Sequence, residues 1–240
     1  MQQCGKQAKL LIAAYLLQGR SRVSGQTKLK IGPGRDGWPW QLLEAPAFYS
    51  LFQFLLARPD ARQQIVSQYI RPQRGNRIID IGCGPGDIVP YLGDVEYVGI
   101  DHQPRYVEQA KERWPRATFT CLDVADLSSL PAGTFEIALA GGLLHHLDDC
   151  QARQMLSDAR QLLKAQGRLI TIDTAFTDRQ NPIARFLAKS DRGVYVRHID
   201  DLRELARSEF ESVQVHIRTD FLRLPYTHVI MECGSSRAPY

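Results

Sequence analysis

Arg77–Ile88 reads RIIDIGCGPGDI, an apolar run that carries one acid, Asp80, followed by glycines at 82, 84 and 86. Glycine has no Cβ, so alternate glycines directly after a strand-like run describe a turn that lets a ligand approach the backbone closely. The surroundings repeat the strand signal: YVGID (97–101), TFTCLDV (118–124), EIALAG (136–141) and RLITID (168–173) alternate with helical stretches expected around Ile88, Tyr106, Met155 and Ile183. Such alternation predicts an α/β fold, a mostly parallel sheet with helices on both faces. The clearest helix is expected over Asp149–Lys164, where Met155, Leu156, Ala159, Leu162 and Leu163 share one face and Gly167 ends the segment. In the tail, a helix at DDLRELARSEF (200–210) precedes VQVHIR (213–218) and THVIMEC (227–233). With no long crossover between them, these last two runs should pair as an antiparallel hairpin at the sheet edge, giving seven strands in all.

Upstream of Gly75 the pattern changes. A helix is expected over Gln7–Gln18, then GRSRVSGQTKLKIGPGRDGWPW breaks regular structure, and two further helices follow, APAFYSLFQFLLA and ARQQIVSQYI, the second with Asp60 as its N-cap. We therefore divide the chain into a helical N-terminal extension, 1–75, and an α/β domain, 76–240.

Bulk composition narrows the function classes. Of 240 residues 44% are hydrophobic and 23% charged, enough for a sizeable core, and the net charge of +4 gives no strong steer toward nucleic acid or an anionic membrane. Five scattered cysteines form no C-x-x-C pair and no zinc-like spacing with histidine, so a reducing cytoplasm is the expected compartment and no metal is expected. LLIAAYLL (10–17) is too short to span a bilayer and lacks a following cleavage site, so neither a signal peptide nor a transmembrane helix is read there.

The glycine spacing distinguishes among ligands. A dinucleotide turn, G-x-G-x-x-G, would begin at Gly82 and Gly84 but would end on Asp87, an acid where a pyrophosphate would have to sit, and there is no Walker-type loop. The turn suits a ligand without phosphate. Asp80-Ile81-Gly82-Cys83-Gly84-Pro85-Gly86 resembles the first motif, acid-x-G-x-G-x-G, of the class I S-adenosylmethionine-dependent methyltransferases, and the resemblance extends over about residues 75–235. It implies a Rossmann-like seven-stranded sheet and S-adenosylmethionine as cofactor, with S-adenosylhomocysteine as product. That ligand carries an ammonium, a carboxylate, a sulfonium and an adenosine, so acids beside a bare backbone suit it.

Further positions match the family in order. Asp80, Gly82, Cys83, Gly84 and Gly86 would form the turn. Asp101, with His102 beside it, stands where the family places an acid on the ribose hydroxyls; Asp123 and Val124 stand where an acid and a backbone group meet the adenine. Ala140 and Gly141 fall where the fourth strand approaches the methionine part. Other roles are open to these acids: Asp80 as a buried acid bonded to the turn, Asp101 or Asp123 as helix caps.

Methyl transfer from a sulfonium is an in-line displacement, so the protein must align the acceptor and, for a hydroxyl acceptor, take its proton. Similar small-molecule O-methyltransferases place a His-His pair after this strand and an acid after the next. By position this implies a base among His145 and His146, oriented by Asp173, although the histidines could instead pack the sheet or cap the helix near Asp148, and Asp173 could be a structural cap. The expected activity is O-methylation of a small molecule. Trp38, Trp40, Phe48, Tyr49, Phe52 and Phe54 would wall the acceptor as a lid or simply pack helices, and Arg192, Tyr195, Arg197 and His198 would complete its pocket. Arg197 would clamp an acceptor carboxylate or pair at the surface with Asp200 or Asp201, and Tyr226 and His228 are further candidates.

Three rivals remain on the sequence. Arg20, Arg22, Lys28, Lys30 and Arg35, with Arg71, Arg74 and Arg77, could meet nucleic-acid phosphates, but GGLLHH stands where base-amine methyltransferases carry Asn/Asp-Pro-Pro-Tyr, which makes nucleic acid unlikely as a partner. A protein carboxyl or amine is a second acceptor class, and a non-catalytic regulatory protein that binds S-adenosylmethionine is the third.

Overall fold

β1 (Arg77–Ile81) is buried along nearly its whole length and lies in the interior of a seven-stranded sheet, third in its strand order, in a computed structural model that describes residues 58–234 except positions 190 and 192. Continuous β-branched residues suit a strand covered on both faces. Parallel to it lie β2 (Glu96–Asp101) on one side and β4 (Phe135–Gly141) on the other; β3 (Thr118–Cys121) and β5 (Leu163–Thr174) extend the parallel set outward. The strand order is β3-β2-β1-β4-β5-β7-β6. β7 (His228–Gly234) runs antiparallel to both β5 and β6 (Ser212–Arg218), so the final hairpin inserts its second strand against β5 and leaves β6 at the edge. This is the Rossmann-like arrangement with an antiparallel edge that the sequence suggests.

α1 (Ala61–Ile65) runs directly into a π-helical turn over Val66–Ile70, which Arg71 closes in the left-handed region at φ 42°. Asp60 precedes α1 but provides no side-chain cap; its carboxylate accepts instead from Gln64 Nε2 at 2.7 Å. The remaining helices are α2 (Pro104–Arg113), α3 (Asp149–Leu162), α4 (Pro182–Lys189) and α5 (Ile199–Arg207). Two apolar clusters cover the sheet. Residues of α3 and α5, among them Met155, Leu156 and Leu202, fill one face. Tyr69 and Ile70, which follow α1, join Val107 and Ala110 of α2 on the other, so part of the segment assigned to the N-terminal extension packs on the same core.

Two helical expectations are corrected. Around Ile88 only a short 3-10 turn forms, Val89–Tyr91, because Pro90 lacks an N–H and Gly93, at φ 74°, reverses the chain two residues beyond the turn. α3 starts at Asp149 as expected, closed by a capping box in which Asp148 accepts from Gln151 N while the Gln151 side chain accepts from Asp148 N. It ends at Leu162, however, where Leu163 turns extended and enters β5; Gly167 lies inside that strand. The β4–β5 register jumps from Phe135↔Leu163 to Ile137↔Arg168, so Lys164–Gly167 bulge out and absorb the change of direction. The helices expected at Gln7–Gln18 and APAFYSLFQFLLA, the loop between them and the aromatic lid residues lie outside the described residues. Among the described residues, no helix is long and apolar enough to cross a membrane, and no cluster of histidine, cysteine and acidic side chains could hold a metal ion.

Candidate active site

The carboxyl ends of β1, β2, β4 and β5 open into one cavity of about 730 Å³ that runs from the glycine turn to His145, His146 and the β5–β7 edge. Ligands in open parallel sheets bind in this position because the strand order reverses there and the connecting loops part. Gly82, Gly84 and Gly86 all take positive φ, at 75°, 53° and 73°. A Cβ at Gly84 would meet nothing within 4 Å, whereas one at Gly86 would lie 2.9 Å from the Trp114 ring. The middle glycine therefore exposes its backbone to open space and the last one allows the turn to pack.

Carboxylates surround this turn. Asp101 Oδ2 accepts from Gly84 N at 2.9 Å and Oδ1 from Gln103 N at 2.8 Å, which fixes the turn against the end of β2 and leaves each oxygen a further lone pair. His102 is exposed beside it. Asp80 is buried and accepts from Tyr97 Oη at 2.6 Å. Burial raises its carboxyl to about 6 against the pull of the Tyr97 hydrogen bond, with the Asp101 charge adding to the rise. Burial likewise pushes the Cys83 thiol well above its ordinary range, so Cys83 is a packing residue in the turn. Asp87 is neutralised by Arg113 at 2.7 Å and Arg62 at 3.2 Å. The like-charge objection to a pyrophosphate therefore rests on Asp80 and Asp101 rather than on Asp87.

Ala140 and Gly141, at the end of β4, line the cavity. Asp123 and Val124 do not; Asp123 Oδ1 accepts from Ala125 N at 3.0 Å and caps the 3-10 helix Val124–Ser129, the cap role the sequence left open. Such a helix start selects the short acid on its own account.

The loop after β4 brings together a second group. His145 Nδ1 lies 2.7 Å from Asp173 Oδ1, and its Nε2 lies 3.2 Å from Asp191 Oδ1. Asp191 also accepts from Tyr226 Oη at 2.9 Å and from Gly193 N at 3.0 Å. Burial opposes charge on His145, yet the hydrogen bonds to Asp173 and Asp191 prevail and raise the imidazole to about 9. Its partners divide: burial raises Asp173, 2% exposed, whereas His145 and the loop amide hold Asp191 well below the usual carboxylate range despite burial. At neutral pH His145 is thus an imidazolium with both nitrogens taken. The His146 ring lies 4.2 Å from it, centroid to centroid, on the exposed side of the loop and lines the cavity.

Arg197 serves neither role expected of it. Its guanidinium is largely buried, pairs with Asp149 at 2.8 Å, and donates to the Leu144 and Leu147 carbonyls at 2.8 and 2.7 Å, pinning the loop that carries both histidines. His198 caps α5 and pairs with Asp178 at 3.3 Å, outside the cavity lining. Arg192 lies outside the described residues, and Tyr195 is exposed. Asp191 and Thr174 line the cavity without having been singled out from sequence. Asp191 carries the local signal of an Asp-x-Gly turn, but nothing local names His145 as its partner. Of the basic residues considered for nucleic acid, Arg71 pairs with Glu232, Arg74 with Asp94 at 2.8 Å and Arg77 with Glu96 at 3.1 Å, and Arg77 opens β1 at the end of the strand away from the cavity.

Residues 78–167 match the family model of a methyltransferase domain. Over this segment the chain is similar to the class I S-adenosylmethionine-dependent methyltransferases. A trans-aconitate 2-methyltransferase of Methylobacterium radiotolerans is 32% identical over 109 residues, covering 43% of this chain and 40% of that protein. The ubiquinone/menaquinone biosynthesis C-methyltransferase UbiE of Geotalea uraniireducens is 29% identical over 115 residues, covering 43% and 48%. The chain thus spans less than half the length of these two methyltransferases. A solved methyltransferase from Archaeoglobus fulgidus shares the fold at TM-score 0.62 and 15% identity, covering 78% of this chain and 99% of that one. A Haemonchus contortus phosphoethanolamine-type N-methyltransferase does so at TM-score 0.66 and 12% identity, covering 82% and 59%. The family cofactor is S-adenosylmethionine, and the turn fits it: open space over Gly84, acids rather than free cations around it, and no cradle for phosphate.

Proposed function

We propose that the protein transfers the methyl group of S-adenosylmethionine to a small-molecule acceptor, at oxygen. The observation that carries this reading is the single cavity joining the glycine turn to His146, whose ring stands beside a locked imidazolium. In this reading Asp80, Gly82, Cys83, Gly84 and Gly86 form the floor for the methionine part together with Ala140 and Gly141. Asp101, with His102 at the rim, takes the ribose hydroxyls through its remaining lone pairs. Asp123 and Val124, which stand outside the cavity lining at the start of a 3-10 helix, are assigned to the adenine edge by the resemblance alone.

When bound, S-adenosylmethionine supplies a methyl group made electrophilic by the sulfonium. The chain's own residues hold the acceptor in line and remove its proton. His145 does not serve as base, because Asp173 and Asp191 occupy both of its nitrogens; it is a positioning residue that fixes the 143–147 loop. His146 accepts the acceptor's hydroxyl proton, at a cavity whose lining includes the apolar side chains of Leu187, Phe221, Leu222 and Leu224.

The test is turnover with a panel of phenols, carboxylic acids and amines, followed as S-adenosylhomocysteine release. Phenols should be the best substrates, and His146→Ala should lower kcat by about a hundredfold. Unchanged turnover in His146→Ala would remove it as base, and S-adenosylhomocysteine binding without turnover on any acceptor would favour a regulatory binder.

A further inference from the structure

The β5–β7 edge of the cavity carries polar atoms that none of the roles above uses. Thr174 and His228 are directly opposed across the antiparallel pair, and directly opposed residues project on the same face. Both line the cavity. Thr174 Oγ1 and His228 Nδ1 are buried and have no hydrogen-bond partner among the described residues, as is the case for Asp173 Oδ2 next to them. A buried polar atom left unpaired costs about 1–3 kcal/mol, so orphans gathered at one end of a ligand cavity mark where a ligand group is received. Around them the wall is apolar, with Ile170, Ile172 and Leu139 on the sheet, and the Phe221 and Tyr226 rings 5.4 and 4.9 Å from the His228 ring.

We propose that Thr174 and His228 form a subsite for an uncharged hydroxyl group on an apolar, ring-sized acceptor. A hydroxyl both donates and accepts, and so matches a threonine hydroxyl paired with a neutral imidazole. Burial lowers His228 to about 4, which keeps it neutral at physiological pH. Charge excludes the alternative of an acceptor carboxylate. Asp80, Asp87, Asp101, Asp173 and Asp191 all line the cavity, and among the described lining residues Arg62, already paired with Asp87, is the one Arg or Lys side chain. An anion placed here would face acids with no free cation to receive it. The trans-aconitate methyltransferases to which the chain is similar are named for an acceptor that is a carboxylate; this cavity is built for a neutral one.

The proposal rests on the reading of this cavity as the acceptor site, and its test separates the two. Calorimetric titration of the full chain, with and without S-adenosylhomocysteine, uses a naphthol, the matching naphthoate and naphthalene as probes. Naphthol should bind about tenfold more tightly than naphthalene and at least tenfold more tightly than naphthoate. Thr174→Val should remove most of the naphthol advantage and leave naphthalene unchanged, while Thr171→Val, which also deletes a buried unpartnered hydroxyl but away from the cavity lining, should change neither. Naphthoate binding as tightly as naphthol, no naphthol binding, or equal losses for naphthol and naphthalene in Thr174→Val would overturn the subsite. Failure of S-adenosylhomocysteine itself to bind would overturn the cofactor reading instead. The comparison of the three probes on the wild-type chain stands even if a variant misfolds.

Discussion

Raising the pH should unlock the histidine loop, and the size of the effect follows from the geometry of His145. In the folded chain this imidazole lies between Asp173 and Asp191 and titrates at about 9, against an ordinary 6.5. A folded value above the unfolded one means that the folded state binds the proton more tightly. The stabilisation is therefore fully present below about 6.5 and is lost as pH rises through 9. With each pH unit between the two values worth about 1.36 kcal/mol, the lock contributes roughly 3 kcal/mol. For a domain of this size that corresponds to about 6–12 °C in Tm. The assay is thermal unfolding of wild type and His145→Gln from pH 6 to pH 10, because lysine, cysteine and tyrosine titration is common to both and cancels in the difference. The wild-type advantage should be largest near pH 6 and shrink steadily toward pH 10. Asp191→Asn should move the falling limb to lower pH by removing one of the two carboxylates that hold the proton. Parallel Tm curves for wild type and His145→Gln across the whole range would refute the lock.

Other perturbations probe neighbouring parts of the site. Gly193→Ala places a Cβ into the His145 ring and its carbonyl oxygen, so the loop bearing Asp191 must withdraw; differential scanning calorimetry should show a loss of about 2–3 kcal/mol, and a Tm within a degree of wild type would count against the contact. Arg197→Met should lower stability by about 3 kcal/mol, since it leaves the Leu144 and Leu147 carbonyls without their buried donor, and a urea melt matching wild type would show that the loop does not depend on that guanidinium. For Asp101→Asn, calorimetry should show S-adenosylhomocysteine affinity reduced about tenfold or more, as the carboxylate that orders the Gly84 amide and is assigned to the ribose is lost; wild-type affinity would take Asp101 out of the binding site. His228→Gln should flatten the loss of stability that wild type shows on acidification from 6.5 toward 4, because His228 is held neutral in the fold and must gain a proton on unfolding; an unchanged acid limb would place His228 in a more open environment.

How much was legible in the sequence differs from element to element, for physical reasons. The strands could be read because each is a short apolar run whose neighbours in the chain are turns, and a strand buried on both faces leaves that pattern wherever it lies. The helix after the glycine turn could not: periodicity suggested one around Ile88, and Pro90 with Gly93 prevented it. α3 was read with its start right and its end late, since Leu163 and Lys164 fit a helical face while the bulge that redirects them exists only against β4.

At the site, the residues that bear on backbone were the visible ones. Gly82, Gly84 and Gly86 announce themselves because a positive-φ turn requires them locally, and Asp101 because it closes that turn from the next strand. The roles of paired side chains were hidden. Arg197 looked like a free clamp or a surface partner of Asp200, yet it is committed to carbonyls some fifty residues earlier in the chain. His145 and His146 are neighbours in sequence and looked interchangeable. The fold gives one of them two carboxylates, from β5 and from the loop after α4, and leaves the other exposed to the cavity. The sequence by itself thus determined the α/β architecture and the positive-φ glycine turn, because those depend on local backbone requirements and on burial patterns that repeat along the chain. Tertiary structure alone decided which histidine is locked, where Thr174 meets His228, and the sign of the charge that lines the cavity, because these depend on pairings between residues that only the closing of the sheet brings together.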